Sequence, residues 1–404
     1  MAFLNLFDQR KLWELAEKIP LEPLSERKSI YDALGLVCAE DVLAPEDIPP
    51  KARSEVDGYA VRSRDVKGAS VERPSLLTRV GSIVVDEVPQ FELNPGECAY
   101  IPTGAILPKG ADAVVMIEYV EESGNYVEVF KAVAPLENVV SPGEDMKQGD
   151  IVLKRGQRIT PQVVGLLSYL GKLEVQVYRP LKVFVAATGN EIVEPTQVPN
   201  LGQYRDANSL TVWSMLKERG FYAHRGSIIR DELENIHEVI NKATQNYDVI
   251  VLTGGSSAGI RDLVVRAVEE AGGTVLAHGF TIKPGKPTVI GIVKEKLFVG
   301  LPGHPMSCFV SASLILMPLL RRLQGENVKP MPLLKARLRT AVFSRIGVEE
   351  WIPVRLSYEE ELWAEPVFSK SGMVSSMVRN EGFLRIPPEC EGMEPGEVVE
   401  VLLL

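Results

Sequence analysis

The sequence predicts a multidomain protein of the α/β plus β class. It combines a doubly wound, mainly parallel α/β domain with a β-rich inserted domain, an N-terminal helical or mixed domain and a C-terminal β-barrel-like domain. A chain of 404 residues is too long for a single hydrophobic core, because domains contain roughly 100–200 residues each. Predicted strands and helices alternate between Arg179 and about Gln324. Short apolar segments with many Gly and Pro residues lie on both sides of that region.

Continuous apolar runs in the alternating region are typical of strands buried on both faces of a parallel sheet, as in PLKVFVAATG (180–189) and DVIVLTGG (248–255). Amphipathic segments separate these runs. In the segment 206–220 we expect Asn208 to cap a helix. The run 288–301 has the pattern of a hairpin, and a further helix is predicted after it. The alternation indicates βαβ units.

The flanking regions have other patterns. Residues 8–38 contain two helical patterns, residues 47–140 contain short strand-like runs, and residues 160–171 form a predicted helix capped by Thr160. Strand-like segments return after Pro330. We therefore predict an N-terminal domain interrupted by an inserted β domain, then an α/β domain and a C-terminal β domain, with boundaries at 1–46 plus 141–178, 47–140, 179–329 and 330–404.

Composition argues against several classes of protein. A formal net charge of −10 disfavours a nucleic-acid backbone or an anionic membrane as the partner. None of the four cysteines forms a CxxC pair, and none of the four histidines belongs to an HExxH motif. The sequence therefore has neither a disulfide framework nor a zinc signature. The N-terminus has early charges and no cleavage motif, and no apolar run reaches the about 20 residues of a membrane span. We expect a cytoplasmic protein.

Polar residues follow several predicted strands of the α/β domain, at the edge where open α/β sheets bind ligands. The loops TGNE, IIRD, TGGSSAGIRD and TIKPGKP contain three acidic residues and two lysines: Glu191, Asp231, Asp262, Lys283 and Lys286. A fifth loop, LPGHPMS (301–307), follows the predicted hairpin, and glycine-rich turns and helix starts in these loops can hold an anion with backbone N–H groups. The candidate contacts are Gly254, Gly255, Ser256, Ser257, Gly259, Gly285, Pro302, Gly303 and Ser307.

The charges in these loops predict the kind of ligand. Three carboxylates would repel a phosphate unless a cation bridged them, and Mg²⁺ is commonly bound by one or two carboxylates together with phosphate oxygens. We therefore expect a phosphorylated ligand, with Mg²⁺ held by Glu191, Asp231 and Asp262. Each feature also has an ordinary explanation as a tight turn, an acid in the first turn of a helix or a solvated lysine. Their coincidence at one sheet edge favours a site.

Motifs along nearly the whole chain resemble the MoeA family of molybdopterin molybdenumtransferases, which includes the E domain of gephyrin. SEVDGYAV (54–61) is similar to the family's S-x-x-DGYA-V, and IPTGAILPKGADAVVMIE (101–118) is similar to its PTGA and GADAVV segment. Further motifs follow in the family's order: GEDMKQGD, ATGNEI, GQYRDANS, IIRD, TGGSSAGIRD, KPGKP and LPGHPMS. By these ordered matches the chain is identified as a member of that family.

The resemblance implies an enzyme of molybdenum cofactor biosynthesis. Such enzymes insert molybdate, or tungstate, into the dithiolene of adenylylated molybdopterin and release AMP with the help of a divalent cation. The resemblance also implies a homodimer of four-domain subunits with the active cleft between subunits, and handover of substrate from a molybdopterin adenylyltransferase. Functionally important family positions correspond to Asp57, Thr103, Glu191, Asp231 and Asp262, and a looser match in the last domain covers Ser371, Ser376 and Arg379.

Metal insertion removes oxygen from the oxyanion, so protons must be delivered, and we expect an acid such as Asp57 or Glu191 to supply them. The sequence departs from the family's pattern at Asn190, where Asp is usual, at His304, where Asn is common, and at Ser256, where Val is usual. The missing charge argues against a metal ligand at Asn190. Two alternatives stay open: a molybdopterin adenylyltransferase, which residues 180–325 resemble by themselves, and a non-catalytic scaffold.

Overall fold

The computed structural model of the chain describes residues 6–254, 258–368 and 372–403. The chain divides into two compact units, Met1–Glu40 with Arg155–Leu404 and Asp41–Lys154. The first unit contains the α/β sheet and a closed β-barrel, and the second contains a separate six-stranded sheet. The predicted multidomain α/β and β class is therefore confirmed.

A six-stranded sheet forms the centre of the α/β region. Its strands lie in the order Tyr222–Arg225, Lys182–Ala187, Val249–Thr253, Lys296–Leu301, Val289–Val293 and Thr274–His278. The first four are parallel, and the last two are antiparallel to their neighbours. The predicted hairpin is thus Val289–Val293 with Lys296–Leu301, and the mainly parallel sheet is confirmed.

Helices cover both faces of this sheet. They span Asn208–Glu218, Leu233–Ala243, Ala258–Glu270 and a continuous stretch made of Pro305–Ser311, the π-helical Ala312–Leu316 and Met317–Leu323. Successive residues of the central strand belong to different cores, since Val251 packs in one cluster and Ile250 and Leu252 in the other. Burial on both faces explains the continuous apolar pattern of the strands. The helical stretch Pro305–Leu323 is long and apolar, and 78% of its most apolar window is buried inside the protein.

One cap prediction in the α/β region is wrong. Asn208 does not cap the helix Asn208–Glu218, because its side-chain Nδ2 donates to the carbonyl of Gly303 over 2.7 Å. Asp206 takes that role instead, since its Oδ1 accepts from the backbone N–H of Ser209 over 3.1 Å. The side chain that appeared free to cap the helix is thus committed to a loop distant in sequence.

The remaining described segments of the first unit, before and after the second unit in the chain, form two helices and a three-stranded sheet. A 3-10 turn Gln9–Lys11 leads into the helix Leu12–Ala16. The second predicted helix is wrong, because Ser25–Ser29 is a strand that pairs with Glu174–Tyr178, which in turn pairs with Val37–Cys38. The helix Pro161–Tyr169 is confirmed, with the Thr160 side chain accepting from Val163 N–H at its start.

A closed barrel forms the C-terminal part of the first unit. Its strands follow one another around the barrel as Glu349–Tyr358, Leu362–Pro366, Leu333–Leu338, Val398–Leu403 and Gly382–Ile386, which pairs back to Glu349–Tyr358. The short strand Ile282–Lys283 of the α/β region pairs in parallel with Glu349–Glu350. Val342–Phe343 pairs with Gly392–Met393, and a 3-10 turn spans Val374–Met377. The lysine-bearing loop is thereby attached to the barrel through backbone hydrogen bonds.

The second unit is built on a six-stranded mixed sheet. The strand order is Ala113–Met116, Gly58–Val61, Glu97–Ile101, Ser75–Ser82, Tyr126–Val129 and Val120–Ser123. Two small ribbons pair Arg53–Ser54 with Val139–Val140 and Val42–Leu43 with Ile151–Leu153. The glycine of DGYA has a steric reason, since a Cβ at Gly58 would lie 2.0 Å from the carbonyl oxygen of Val115.

Candidate active site

A cavity of about 370 Å³ lies at the carboxyl ends of the parallel strands. Thr188 and Glu191 border it after the first strand of the region, and Thr253 and Gly254 border it after the central strand. Gly303 and His304 border it from the loop that starts the long apolar helix. We call this cavity the sheet-edge pocket. It brings together three residues of the predicted site, Glu191, Gly254 and Gly303.

Buried oxygens without partners mark this edge of the sheet. The hydroxyls of Thr188 and Thr253 and Oδ1 of Asp231 are sealed from solvent and have no hydrogen-bond partner among the described residues. Thr188 and Thr253 are 2% and 1% exposed. Unpaired buried polar groups are costly and rare, and they require an explanation where they cluster. The Thr188 hydroxyl lies within interaction range of the Asp231 carboxylate, and a bound ligand, ion or water that contacts these oxygens would satisfy them.

Asp231 and Glu191 influence each other electrostatically. Burial raises the pKa of Asp231 above its ordinary value, and the negative charge of Glu191 raises it further. The backbone N–H of Asp231 donates to Oδ1 of Asn190 over 3.3 Å. Asn190 therefore supports the loop that carries Asp231. An uncharged amide can accept this hydrogen bond as well as the Asp that is usual at this position in the family.

The Gly254 backbone packs directly against Thr188. A Cβ at Gly254 would lie 2.3 Å from the carbonyl oxygen and 2.4 Å from Oγ1 of Thr188. The predicted contacts Gly255, Ser256 and Ser257 lie outside the described residues, and Gly259 belongs to the helix Ala258–Glu270.

The structure brings together only part of the predicted magnesium ligand set. Asp262 lies exposed on the helix Ala258–Glu270. Within the described residues, no group of three or more His, Cys, Asp and Glu side chains is arranged to hold a metal ion. Glu191 and Asp231 thus lie close enough to interact, but Asp262 does not form a three-residue group with them. Binding of Mg²⁺ by all three residues stays a prediction.

A second cavity, of about 830 Å³, adjoins the sheet-edge pocket at His304, which borders both. We call it the lysine cleft. Five predicted contacts border it: Lys283, Gly285, Lys286, Pro302 and Ser307. Arg345, between the barrel strands, adds a third formal positive charge that the sequence did not reveal. The cleft is therefore suited to an anion.

An ion-pair network supports the loop between the two cavities and was missed from the sequence. Asp206 is 5% exposed and pairs with Arg225 over 2.9 Å, and Arg225 also pairs with Glu194 over 2.8 Å. Asp206 borders the sheet-edge pocket, and Asn208, two residues further along the chain, donates to the Gly303 carbonyl. The motif GQYRDANS (202–209) could have pointed to Asp206 and Asn208, because it is one of the ordered matches to the family.

Asp57 and Thr103, from motifs 46 residues apart, meet in the second unit. Oδ1 of Asp57 accepts from the backbone N–H of Thr103 over 2.7 Å and from its hydroxyl over 3.0 Å. These two hydrogen bonds lower the pKa of Asp57 below its ordinary value. Arg53 donates to the carbonyl of Gly104 over 2.7 Å and so holds the same turn. Asp57 is therefore an exposed, ionised carboxylate with a defined orientation.

The looser predictions in the last domain have a mixed outcome. Ser371 lies outside the described residues. The Ser376 hydroxyl donates to the carbonyl of Met373 over 2.5 Å, and Arg379 is exposed with its carbonyl accepting from Arg355. Gly372 and Val374, rather than these side chains, border the sheet-edge pocket. The stretch therefore reaches the pocket through residues that the motif match did not single out.

Three family models match successive parts of the chain. The MoeA N-terminal region (domain I and II) matches residues 8–171, the "Probable molybdopterin binding domain" matches residues 184–322, and the MoeA C-terminal region (domain IV) matches residues 335–404. The second match covers most residues of the sheet-edge pocket and the α/β side of the lysine cleft, and the barrel side of the cleft lies within the third match.

Whole-chain relatives agree with these matches. The chain is 31% identical to a molybdopterin molybdenumtransferase of Bacillus subtilis, covering 94% of this chain and 90% of that protein. It is similar to two solved structures of MoeA proteins of molybdopterin biosynthesis from Pyrococcus horikoshii. The first is 38% identical with a TM-score of 0.79 and covers 99% of both chains. The second is 31% identical with a TM-score of 0.84 and covers 99% of this chain and 100% of that one. The resemblance seen in the motifs is confirmed, and the chain belongs to the MoeA family.

Proposed function

We propose that this protein inserts molybdate, or tungstate, into the dithiolene of adenylylated molybdopterin and releases AMP in a Mg²⁺-dependent reaction. Membership of the MoeA family supports the reaction class. The observation that carries the proposal is the pair of cavities that meet at His304. One has carboxylates and unpaired buried oxygens, and the other has three cations.

The two cavities fit two parts of one substrate complex. The sheet-edge pocket fits the pyrophosphate and pterin side chain, with Gly254 and Gly303 allowing close approach of the backbone. The lysine cleft fits a tetrahedral oxyanion, because Lys283, Lys286 and Arg345 supply positive charge there. The shared His304 lies where the phosphate end and the metal-receiving end of the substrate would meet.

The oxygen atoms at the sheet edge fit Mg²⁺. Glu191 and Asp231 are hard oxygen donors close to each other, and Oδ1 of Asp231 lacks a partner among the described residues. Two carboxylates together with substrate phosphates are a common arrangement for this ion. We propose Glu191 and Asp231 as its ligands, with Asp262 as a third. When bound, Mg²⁺ would neutralise negative charge on the phosphates of the leaving AMP.

The electrostatics favour different roles for the acids. The pKa of Asp57 is lowered by its hydrogen bonds from Thr103, so this carboxylate is ionised near neutral pH and is a poor proton donor. The pKa of Asp231 is raised by burial and by Glu191, so it keeps a proton to higher pH. We therefore assign orientation of the substrate to Asp57 with Thr103, and binding of Mg²⁺ rather than proton delivery to Asp231 and Glu191, because a carboxylate that binds the metal is deprotonated.

We also propose a cytoplasmic homodimer whose active cleft forms between subunits and which receives its substrate from a molybdopterin adenylyltransferase. In this arrangement Asp57 of one subunit acts with Asp231 of the other. Mixing Asp57→Asn and Asp231→Asn variants, each inactive by itself, would then restore one competent cleft in a mixed dimer. Mixtures that stay inactive although mixed dimers form would refute the shared cleft.

The reaction itself is tested with purified adenylylated molybdopterin, Mg²⁺ and molybdate or tungstate. We expect release of AMP that depends on the oxyanion, together with activation of an apo-enzyme. Asp57→Asn should lower both, whereas the exposed Asp86→Asn in the same unit should leave both unchanged. Formation of adenylylated product from ATP and molybdopterin without any oxyanion would instead support the adenylyltransferase alternative. Peptide binding without molybdate-dependent AMP release would support the scaffold.

A further inference from the structure

The lysine cleft contains an internal carboxylate. Glu350 is the only acidic residue among the described residues that border the cleft, which has three cationic side chains. Its Oε1 lies 2.6 Å from Nζ of Lys283. The cation that the proposed function assigns to a substrate oxyanion is therefore occupied by a carboxylate of the protein itself.

The two side chains of this ion pair differ in exposure and mobility. The Glu350 side chain is 11% exposed, and its Oε2 accepts from the Ser344 hydroxyl over 2.9 Å. Glu350 also belongs to the barrel strand Glu349–Tyr358, whose first residues pair with Ile282–Lys283. The Lys283 side chain is 63% exposed at the end of a flexible four-carbon stem. An arriving anion can therefore draw the lysine away, while the carboxylate stays in place.

We propose that Glu350 is an internal competitor for Lys283, which weakens oxyanion binding in the cleft and sets the affinity of the protein for its anionic substrate. This inference rests on the proposed function for the identity of the anion. In the resting protein Lys283 is paired with Glu350. A bound oxyanion takes over Lys283, and Glu350 repels the anion and returns the lysine when the anion leaves. Glu350 is thus a residue that tunes affinity and does not touch the reacting atoms.

The direction of the effect follows from charge. Replacing Glu350 by Gln keeps the shape and the hydrogen-bonding capacity towards Ser344, and it removes one negative charge beside a divalent anion. Two effects add in this variant, since the anion no longer competes with a carboxylate for Lys283 and no longer faces that negative charge, and together they give about a tenfold gain in affinity. A residue whose only task was to hold Lys283 in place would give the opposite sign, because its loss would weaken binding.

The chain offers a matched control in the adjacent residue. Glu349 is 4% exposed, pairs with Arg385 over 2.5 Å and does not border the lysine cleft. Glu349→Gln therefore makes the same change of formal charge in a buried ion pair of the same strand. Thermal unfolding of both variants shows whether either substitution disturbs the barrel.

The experiment measures binding of inorganic tungstate and molybdate to the purified protein by calorimetry, without turnover. Glu350→Gln should lower the Kd about tenfold, and Glu349→Gln should leave it within about twofold. In a Lys283→Met background the gain from Glu350→Gln should shrink, since the lysine is no longer contested. Unchanged or weaker binding by a folded Glu350→Gln variant, or an undiminished gain without Lys283, overturns the proposal.

These outcomes are separable from those of the proposed function. If tungstate and molybdate do not bind the wild-type protein at all, both proposals fail. If they bind and Glu350→Gln has no effect, only the competitor role fails. If Glu350→Gln tightens binding while the protein releases no AMP from adenylylated molybdopterin, the competitor role stands and the proposed reaction fails.

Discussion

Gly254 gives a direct test of how closely the backbone must pack at the start of the glycine- and serine-rich loop. Its φ of +142° is a conformation that residues with a side chain rarely adopt. An added Cβ would also lie 2.3 Å from the Thr188 carbonyl oxygen, which is far inside van der Waals contact. Gly254→Ala must therefore either strain its own backbone or displace the adjacent strand end.

The expected magnitude comes from these two contributions. Backbone strain of this kind costs about 1–3 kcal/mol, and forcing an extra carbon into a packed site costs about 1–3 kcal/mol more. Gly272→Ala is the matched control, because Gly272 has a φ of +77° and no atom within 4 Å of its added Cβ. That variant should cost only about 1–2 kcal/mol. Gly254→Ala should then be less stable than Gly272→Ala by about 2 kcal/mol.

Hydrogen exchange is the appropriate assay, since a chain with several domains need not unfold in one step. Peptides covering Val249–Thr253 should exchange faster in Gly254→Ala than in Gly272→Ala, and urea unfolding should show the same order. Equal protection of this strand in the two variants would refute the close-packing explanation. A fall in ligand affinity for Gly254→Ala without any loss of protection would show that the glycine serves the ligand only.

Three further predictions concern charges. Thr103→Val removes one of the two hydrogen bonds to Asp57, so the pKa of Asp57 rises toward its ordinary value and the acid limb of the pH–rate profile moves to higher pH. An unmoved limb would show that Asp57 does not set it. Arg225→Met leaves Asp206 buried without its cation and should lower the free energy of unfolding by about 2–4 kcal/mol, with partial recovery in the Asp206→Asn double variant. No recovery would mean that Arg225 acts through packing. Asp231→Asn removes a carboxylate whose folded pKa is raised, so without Mg²⁺ it should stabilise the protein slightly at pH 7. The gain should vanish below the ordinary carboxyl pKa, where Asp231 is protonated in both states, and a gain that persists there would contradict the electrostatic cause.

Local pattern was a good guide to the α/β region. The continuous apolar runs at 180–189 and 248–255 became strands that are buried on both faces, and Thr160 with Pro161 marked a helix start correctly. The same guide failed at Ser25–Ser29, where a helical pattern forms a strand. Its partner Glu174–Tyr178 lies far along the chain, so the hydrogen bonds that decide the structure there are invisible to a local window.

The sequence by itself determined the fold class, the loops at the sheet edge and the family, because hydrophobic period and ordered motifs depend on neighbouring residues. Only the tertiary structure decided which side chains meet. It paired Asp57 with Thr103, left the Thr188 and Thr253 hydroxyls buried and unpaired within the described residues, and set Glu350 against Lys283. Such contacts join residues distant in sequence, and their charge and burial depend on how the backbone brings the loops together.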